Sequence, residues 1–138
     1  MSKVPTRSPT HREVDLGRLA ALGAAGVHPE GQFLPETYAY AKGMQDLDVL
    51  RRAYQAMRKA VADAWTQRVA ELPLASAEQL LVLASIVEKE TGRADERERI
   101  AGVFLRRLKI GMRLQTDPTV IYGIGPAFDG NLTRRHLE

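Results

Sequence analysis

Glu88 is the residue in this sequence whose surroundings best suit proton-transfer chemistry. It follows an almost continuous apolar run over residues 80–87. On a helix with 3.6 residues per turn it falls between the directions of Ala84 and Leu81, inside the apolar sector. A carboxyl group among aliphatic side chains resists ionisation and can stay protonated near neutral pH. Such a group can donate a proton to a glycosidic oxygen, and Glu88 is therefore the candidate acid.

A structural role is the alternative for Glu88. A glutamate near the C-terminal end of a helix is more often solvated or ion-paired, and three arginines could pair with it: Arg97, Arg106 and Arg107. Glu90 points to another side of the same predicted helix, near Leu83, and is the weaker candidate acid. The residue pattern alone leaves catalysis and ion pairing both open.

A long amphipathic helix is predicted ahead of this segment. Apolar residues recur at steps of three and four from Asp46 to about Leu72, and Pro73 lies just past the end. Met57 and Trp65 fall on its apolar face and are predicted to pack in the core. Further upstream, Leu16 to Leu22 predicts a short helix that ends near Gly26.

The segment that carries Glu88 is predicted to be a buried helix. Ser76 and Gln79 are predicted to form a capping box at its start. The Ser76 hydroxyl can accept a hydrogen bond from the backbone of Gln79, and the Gln79 side chain reaches back toward the start of the turn. The helix runs to Thr91, and Gly92 can close it in the left-handed conformation. Because residues 80–87 are apolar nearly all round, we expect the helix to be covered on most sides.

A third helix is predicted after Asp95 and Glu98, which repeat the start signal. Gly111 lies just beyond its end, and four apolar residues face inward: Ile100, Val103, Phe104 and Leu108.

The run from Met112 to Gly123 has two interpretations. Asp117 and Pro118 fit a helix N-cap and first position, with a single turn that stops at Gly123. Alternatively, β-branched residues over 119–122 favour a short strand. The predicted fold class is α+β and mainly α-helical, with three principal helices and a short β or turn segment.

Composition limits the classes of protein to consider. The 138 residues are 44% hydrophobic and 27% charged, without cysteine, which fits a globular domain and excludes disulfides and thiolate metal sites. No apolar run is long enough to span a bilayer, and the polar N-terminus lacks a signal sequence. The net charge of +3 suits any polyanion. Nucleic acid ranks lowest because the basic residues at 106–113 match no recognised nucleic-acid motif.

Four segments closely resemble the YceG-like (MltG-type) endolytic murein transglycosylases. The four segments are 30–38 (EGQFLPETY), 83–91 (LASIVEKET), 103–108 (VFLRRL) and 111–123 (GMRLQTDPTVIYG). The resemblance runs from about Glu30 to Glu138 with the family's order and spacing, and it is most specific in segment 111–123.

The resemblance implies a lyase that needs neither metal nor cofactor. Glu88 matches the family's catalytic glutamate, which protonates the glycosidic oxygen and then deprotonates the muramoyl C6 hydroxyl, leaving a 1,6-anhydro ring. The implied substrate-binding residues are Gln115, Thr116, Asp117 and Tyr122, with Glu30 and Tyr38 as further candidates to line the cleft. Structural roles are the alternative for these residues, with Asp117 as a cap and Tyr122 in the core.

The resemblance also implies a cellular context. Such enzymes work at the periplasmic face of the inner membrane, where they cleave peptidoglycan glycan strands, terminate strand elongation and meet cell-wall synthesis proteins. We expect a weakly structured segment at 1–28 and a partial catalytic domain at 29–138, without the family's membrane helix, LysM-like module or C-terminal part. The alternative function is a catalytically incomplete remnant that binds glycan or protein.

Overall fold

The computed structural model describes residues 16–117 and residue 119, and within this part of the chain every regular element is helical. The prediction of a mainly α-helical protein with three principal helices is confirmed, and the short N-terminal helix forms as well. The chain divides into two compact units, Met1–Ala64 and Trp65–Glu138. The elements are α1 (Leu16–Ala21), α2 (Asp46–Thr66), α3 (Ala77–Glu90), a 3-10 turn (Ala94–Glu96) and α4 (Arg97–Lys109).

The first unit is built around Leu19, which is completely buried. Ala24 and Tyr54 complete its buried cluster, and Phe33 packs against it. The rings of Phe33 and Tyr54 lie 6.3 Å apart at an angle of 59°, an arrangement that aromatic pairs favour. The Leu34 N–H donates to the carbonyl of Ala53 at 3.1 Å. The irregular segment after α1 is thus fixed along α2.

Helix α2 begins at Asp46 as predicted but ends at Thr66, short of the predicted end. Arg68 explains the difference, because its guanidinium donates to the Trp65 carbonyl at 2.7 Å and lies 3.9 Å from the indole centroid. This side chain satisfies a carbonyl that the next helical turn would otherwise bond. Val69, which continues the apolar periodicity, is 69% exposed. Trp65 is half-buried rather than enclosed in a core.

Helix α3 starts with the predicted capping box. The Gln79 N–H donates to Ser76 Oγ at 3.3 Å, and the Gln79 side-chain oxygen accepts from the Ala75 N–H at 2.8 Å. Both bonds satisfy donors outside the helix's own hydrogen-bond ladder. The local sequence therefore fixes where α3 begins.

We expect Ser76→Ala to lower the free energy of unfolding by about 1 kcal/mol, because the helix loses its N-cap acceptor. The matched control is Ser85→Ala, since the Ser85 hydroxyl bonds the Val82 carbonyl of its own helix, at 2.6 Å, and does not cap the helix. That control should stay within about 0.5 kcal/mol of the parent. Urea unfolding followed by fluorescence of the single tryptophan measures both. Equal losses in the two variants would contradict the capping role.

The exit from α3 differs from the prediction, since Gly92 does not close the helix in the left-handed conformation. Thr91 is the C-cap, with an extended backbone at φ −139°. Its buried hydroxyl donates to Glu96 Oε2 at 2.9 Å and accepts from the Arg93 N–H at 3.1 Å. A side chain that bonds in both directions organises this turn, so a glycine is not needed for it.

The start of α4 also departs from the predicted signal. The 3-10 turn precedes it, and the Asp95 carboxylate accepts from the Arg93 guanidinium at 2.7 Å instead of capping the helix. This hydrogen bond lowers the pKa of Asp95 below its ordinary value. Gly111 follows the helix with φ +70°, where the Met112 N–H bonds the Arg107 carbonyl at 2.8 Å. This left-handed residue fits the predicted C-terminal signal.

The core of the second unit lies between α3 and α4. Leu83, Val87 and Phe104 are buried, and Leu114 is among the half-buried residues packed on them. The expectation that α3 is covered on most sides is wrong, because Val82 remains 59% exposed. Among the described elements, α4 is the helix that packs on α3. Leu108, predicted to face inward on α4, is exposed.

Candidate active site

Glu88 lies near the C-terminal end of α3 and is ion-paired with Arg97, the first residue of α4. Arg97 Nη2 lies 3.2 Å from Glu88 Oε1 and 3.0 Å from Oε2. The Glu88 side chain is 62% exposed and that of Arg97 46%. The prediction of an enclosed, aliphatic environment for Glu88 is wrong, because the turn into α4 brings a guanidinium to the carboxylate. The ion-pairing alternative describes its resting contact.

An aliphatic cleft of about 380 Å³ adjoins this ion pair. Its walls come from α3, from α4 and from the segment that leads into α3. Glu88, Arg97 and Glu98 are its charged members, and the others are apolar: Leu72, Leu74, Leu80, Leu83, Ala84, Val87, Ala101 and Leu105. Helical periodicity correctly predicted that Glu88 lies beside aliphatic side chains, but its carboxylate is exposed at the edge of the cleft.

The second motif is attached to the end of α3. Thr116 is 3% exposed, and its hydroxyl donates to Glu90 Oε2 at 2.7 Å. The Arg107 guanidinium donates to the Leu114 carbonyl, and the Leu114 side chain packs on the core. Between these two contacts, Gln115 is exposed and has a left-handed backbone with φ +52°. Such a backbone is uncommon for a residue other than glycine and is found often at functional sites.

Residues after Gln115 turn into a helical conformation. Asp117 and Thr119 are both helical, and the Thr119 N–H and hydroxyl bond the Thr116 carbonyl at 3.2 and 2.7 Å. Helical geometry at these two positions fits the predicted turn, while residues 120–122 of the alternative strand lie outside the described residues. Asp117 is exposed, and Thr116 is the residue that precedes the first helical position. Tyr122 lies outside the described residues.

Glu88 and Thr116, two predicted site residues of the second unit, have different contact partners. Glu88 contacts Arg97, whereas Thr116 contacts Glu90. Among the described residues, no hydrogen bond or ion pair links Glu88 to the segment 115–117. Glu90 and Arg107 were not predicted as partners of this segment. Glu90 comes 26 positions before Thr116 in the sequence, and local patterns carry no signal for such a pairing.

Glu30 and Tyr38 belong to the first unit. Glu30 is exposed, and its N–H donates to His28 Nδ1 at 3.2 Å. The Tyr38 hydroxyl donates to the Leu34 carbonyl at 2.7 Å, and the Arg52 guanidinium lies 5.9 Å from the centre of its ring. Tyr38 is therefore engaged in structural contacts.

Across the described part of the chain, no three His, Cys, Asp or Glu side chains cluster in a way that could hold a metal ion. In the same part, no helix is both long and apolar enough to cross a membrane. The acidic groups that line the cleft are Glu88 and Glu98, and an exposed carboxyl group at such a place can give or take a proton.

A sequence profile of the YceG-like family matches residues 3–138. The chain belongs to the YceG-like family. The match covers the Glu88 segment, the motif around Gln115 and Thr116, and sequence upstream of the Glu30 motif as well.

Two bacterial proteins illustrate the likeness. The chain is 34% identical over 99 residues to an endolytic murein transglycosylase of Bacillus subtilis, a match that covers 71% of this chain and 27% of the relative. It is 30% identical over 96 residues to an endolytic murein transglycosylase of Streptococcus pneumoniae, covering 70% of this chain and 17% of the relative. The chain therefore spans between about a sixth and slightly more than a quarter of the length of these relatives.

Proposed function

We propose that this YceG-like chain carries the acid–base centre of a lytic transglycosylase. The reaction would cleave the β-1,4 bond between N-acetylmuramic acid and N-acetylglucosamine in peptidoglycan and leave a 1,6-anhydromuramoyl end. The observation that carries the proposal is Glu88, an accessible carboxylate at the edge of the cleft between α3 and α4. The names of the relatives, endolytic murein transglycosylases, support the substrate class.

Glu88 suffices for both proton transfers. As a carboxylic acid it gives its proton to the bridging oxygen while the bond from muramoyl C1 to that oxygen breaks, and the departing sugar leaves as an alcohol. The carboxylate then takes the proton of the C6 hydroxyl as O6 bonds to C1. Glu88 ends protonated and no water is consumed. Hydrolases that use water generally need two carboxylates, whereas capture by a group of the same sugar gains from proximity.

Arg97 suits the half of the cycle in which Glu88 is a carboxylate. In the first half Glu88 must hold a proton, so we expect bound glycan to displace the guanidinium. Both side chains are about half exposed, and the pair can separate without leaving a buried charge. Exposed ion pairs of this kind contribute roughly 0–1 kcal/mol to stability, so displacing Arg97 costs little free energy.

Glycan binding is proposed for the residues of the second motif. Gln115 and Asp117 have exposed side chains that can bond N-acetyl and hydroxyl groups. The Thr116 hydroxyl is already donated to Glu90, which favours a supporting role. Glu30, Tyr38 and Tyr122 stay proposed substrate-binding residues, although the Tyr38 hydroxyl is engaged by the Leu34 carbonyl.

The proposal includes the setting of the reaction. Residues 29–138 would form part of the family's catalytic domain. The α+β class stays a prediction, because every regular element of the described residues is helical. The site of action would be the periplasmic face of the inner membrane, with cell-wall synthesis proteins as partners.

Incubation of the chain with purified peptidoglycan, followed by mass spectrometry of the released glycans, tests the proposal. We expect 1,6-anhydromuramoyl ends. Ordinary reducing ends would replace the lyase with a hydrolase. Binding to peptidoglycan without any product would instead favour the alternative, a catalytically incomplete chain that binds glycan.

A further inference from the structure

Two contacts hold the segment around Gln115 at the ends of α3 and α4. On one side, the buried Thr116 hydroxyl donates to Glu90 Oε2 at 2.7 Å. On the other, the Arg107 guanidinium donates to the Leu114 carbonyl, and the Leu114 side chain packs on the core of the second unit. The residue between them is therefore attached from both directions.

Gln115 has an unfavourable backbone conformation, and burial of its own side chain does not explain it. Its φ is +52°, and its side chain is exposed. A non-glycine residue persists in the left-handed region when its surroundings determine the backbone. The contacts of its two neighbours are the interactions that do so here. The outcome is an outward-facing amide with two donors and an acceptor.

We propose that Glu90 is a positioning residue, which holds Thr116 and thereby fixes the Gln115 amide to bind an N-acetyl group of the glycan. This inference rests on the proposed function for its ligand. Glu90 and Glu88 have different tasks although both belong to α3. Glu88 contacts Arg97 at the edge of the cleft, whereas Glu90 contacts the second motif.

Hydrogen exchange tests the structural half of the inference without any substrate. The Thr119 N–H bonds the Thr116 carbonyl at 3.2 Å, and its exchange rate reports whether the turn is held. We expect Glu90→Ala to speed this exchange about tenfold, because a buried hydroxyl loses its acceptor. Glu90→Gln keeps an acceptor oxygen and should restore most of the protection.

Two controls accompany this measurement. Lys89→Ala, an exposed neighbour on α3, should leave the Thr119 rate unchanged. The amides of the core around Phe104 should exchange alike in every variant, which shows that the unit stays folded. Unchanged exchange of Thr119 in Glu90→Ala would overturn the inference, whether or not the chain is a transglycosylase.

Kinetics on soluble glycan strands test the binding half. We expect Glu90→Ala to raise KM about tenfold with a smaller effect on kcat, and Glu90→Gln to recover most of the loss. Gln115→Ala should raise KM similarly, and the double variant should lose little more than either single one, because both changes remove one interaction. A loss confined to kcat would overturn the binding role.

The two proposals can fail separately. If the parent forms no product, the transglycosylase proposal fails, and binding of the uncleaved strands is measured instead. An affinity about tenfold weaker in Glu90→Ala than in the parent then still supports the positioning role. Equal affinities, or no binding by the parent, would overturn it.

Discussion

Glu88→Gln is expected to lower the rate of anhydromuramoyl product formation by a factor of about 10²–10⁴, the usual contribution of a positioned general acid or base. Glutamine fills nearly the same volume and can still accept from Arg97, but it can neither deliver nor take up the proton. Because the Glu88 side chain is 62% exposed, the substitution should change the free energy of unfolding by less than about 1 kcal/mol. Loss of rate with an unchanged fold is the expected pair of results.

The matched control for this prediction is Glu98→Gln. Glu98 also lines the cleft and is exposed, so the change removes one negative charge from the same surroundings. We expect this variant to keep its rate within about twofold, since the field of an exposed charge is screened by water and salt. A large loss in Glu98→Gln, with activity retained in Glu88→Gln, would move the acid from one residue to the other. Glycan release measured by mass spectrometry under single-turnover conditions distinguishes the two.

Local features of this fold were predictable because their causes lie within a few residues. Ser76 and Gln79 stand three positions apart, and their capping box forms as the sequence predicts. Apolar periodicity located α2 but not its end. That end depends on the Arg68 side chain, which reaches back to the Trp65 carbonyl and the indole ring. Periodicity describes a helical face and contains no information about such a stop.

The candidate site was predictable only in part, for a related reason. The helical wheel placed Glu88 among aliphatic residues, and the cleft beside it is aliphatic. Whether the carboxylate is enclosed depends on what packs against α3, and there the turn before α4 supplies Arg97. The contact between Glu90 and Thr116 likewise joins segments that a sequence pattern treats separately. Tertiary contacts, which no local periodicity encodes, therefore decided the electrostatic surroundings of both glutamates.

Phe104→Ala is expected to cause the largest loss of stability, about 3–5 kcal/mol. Phe104 is 4% exposed and packs in one cluster with Leu83 and Val87, so truncation removes contacts between α4 and α3 and leaves a cavity. Such a loss is a large part of the total stability of a typical domain, about 5–15 kcal/mol.

Because a loss of this size can unfold the unit, Phe104→Ala is measured together with a more conservative variant and a control at an exposed position. Phe104→Leu keeps most of the apolar volume and should lose about 1.5 kcal/mol or less. Val82→Ala, at a position 59% exposed on α3, should stay within about 0.5 kcal/mol. Urea unfolding followed by the fluorescence of Trp65, which belongs to the same unit, gives all three values. A Phe104→Ala loss no greater than that of Val82→Ala would contradict a core centred on Phe104, and with it the α3–α4 packing that holds Glu88 at the cleft.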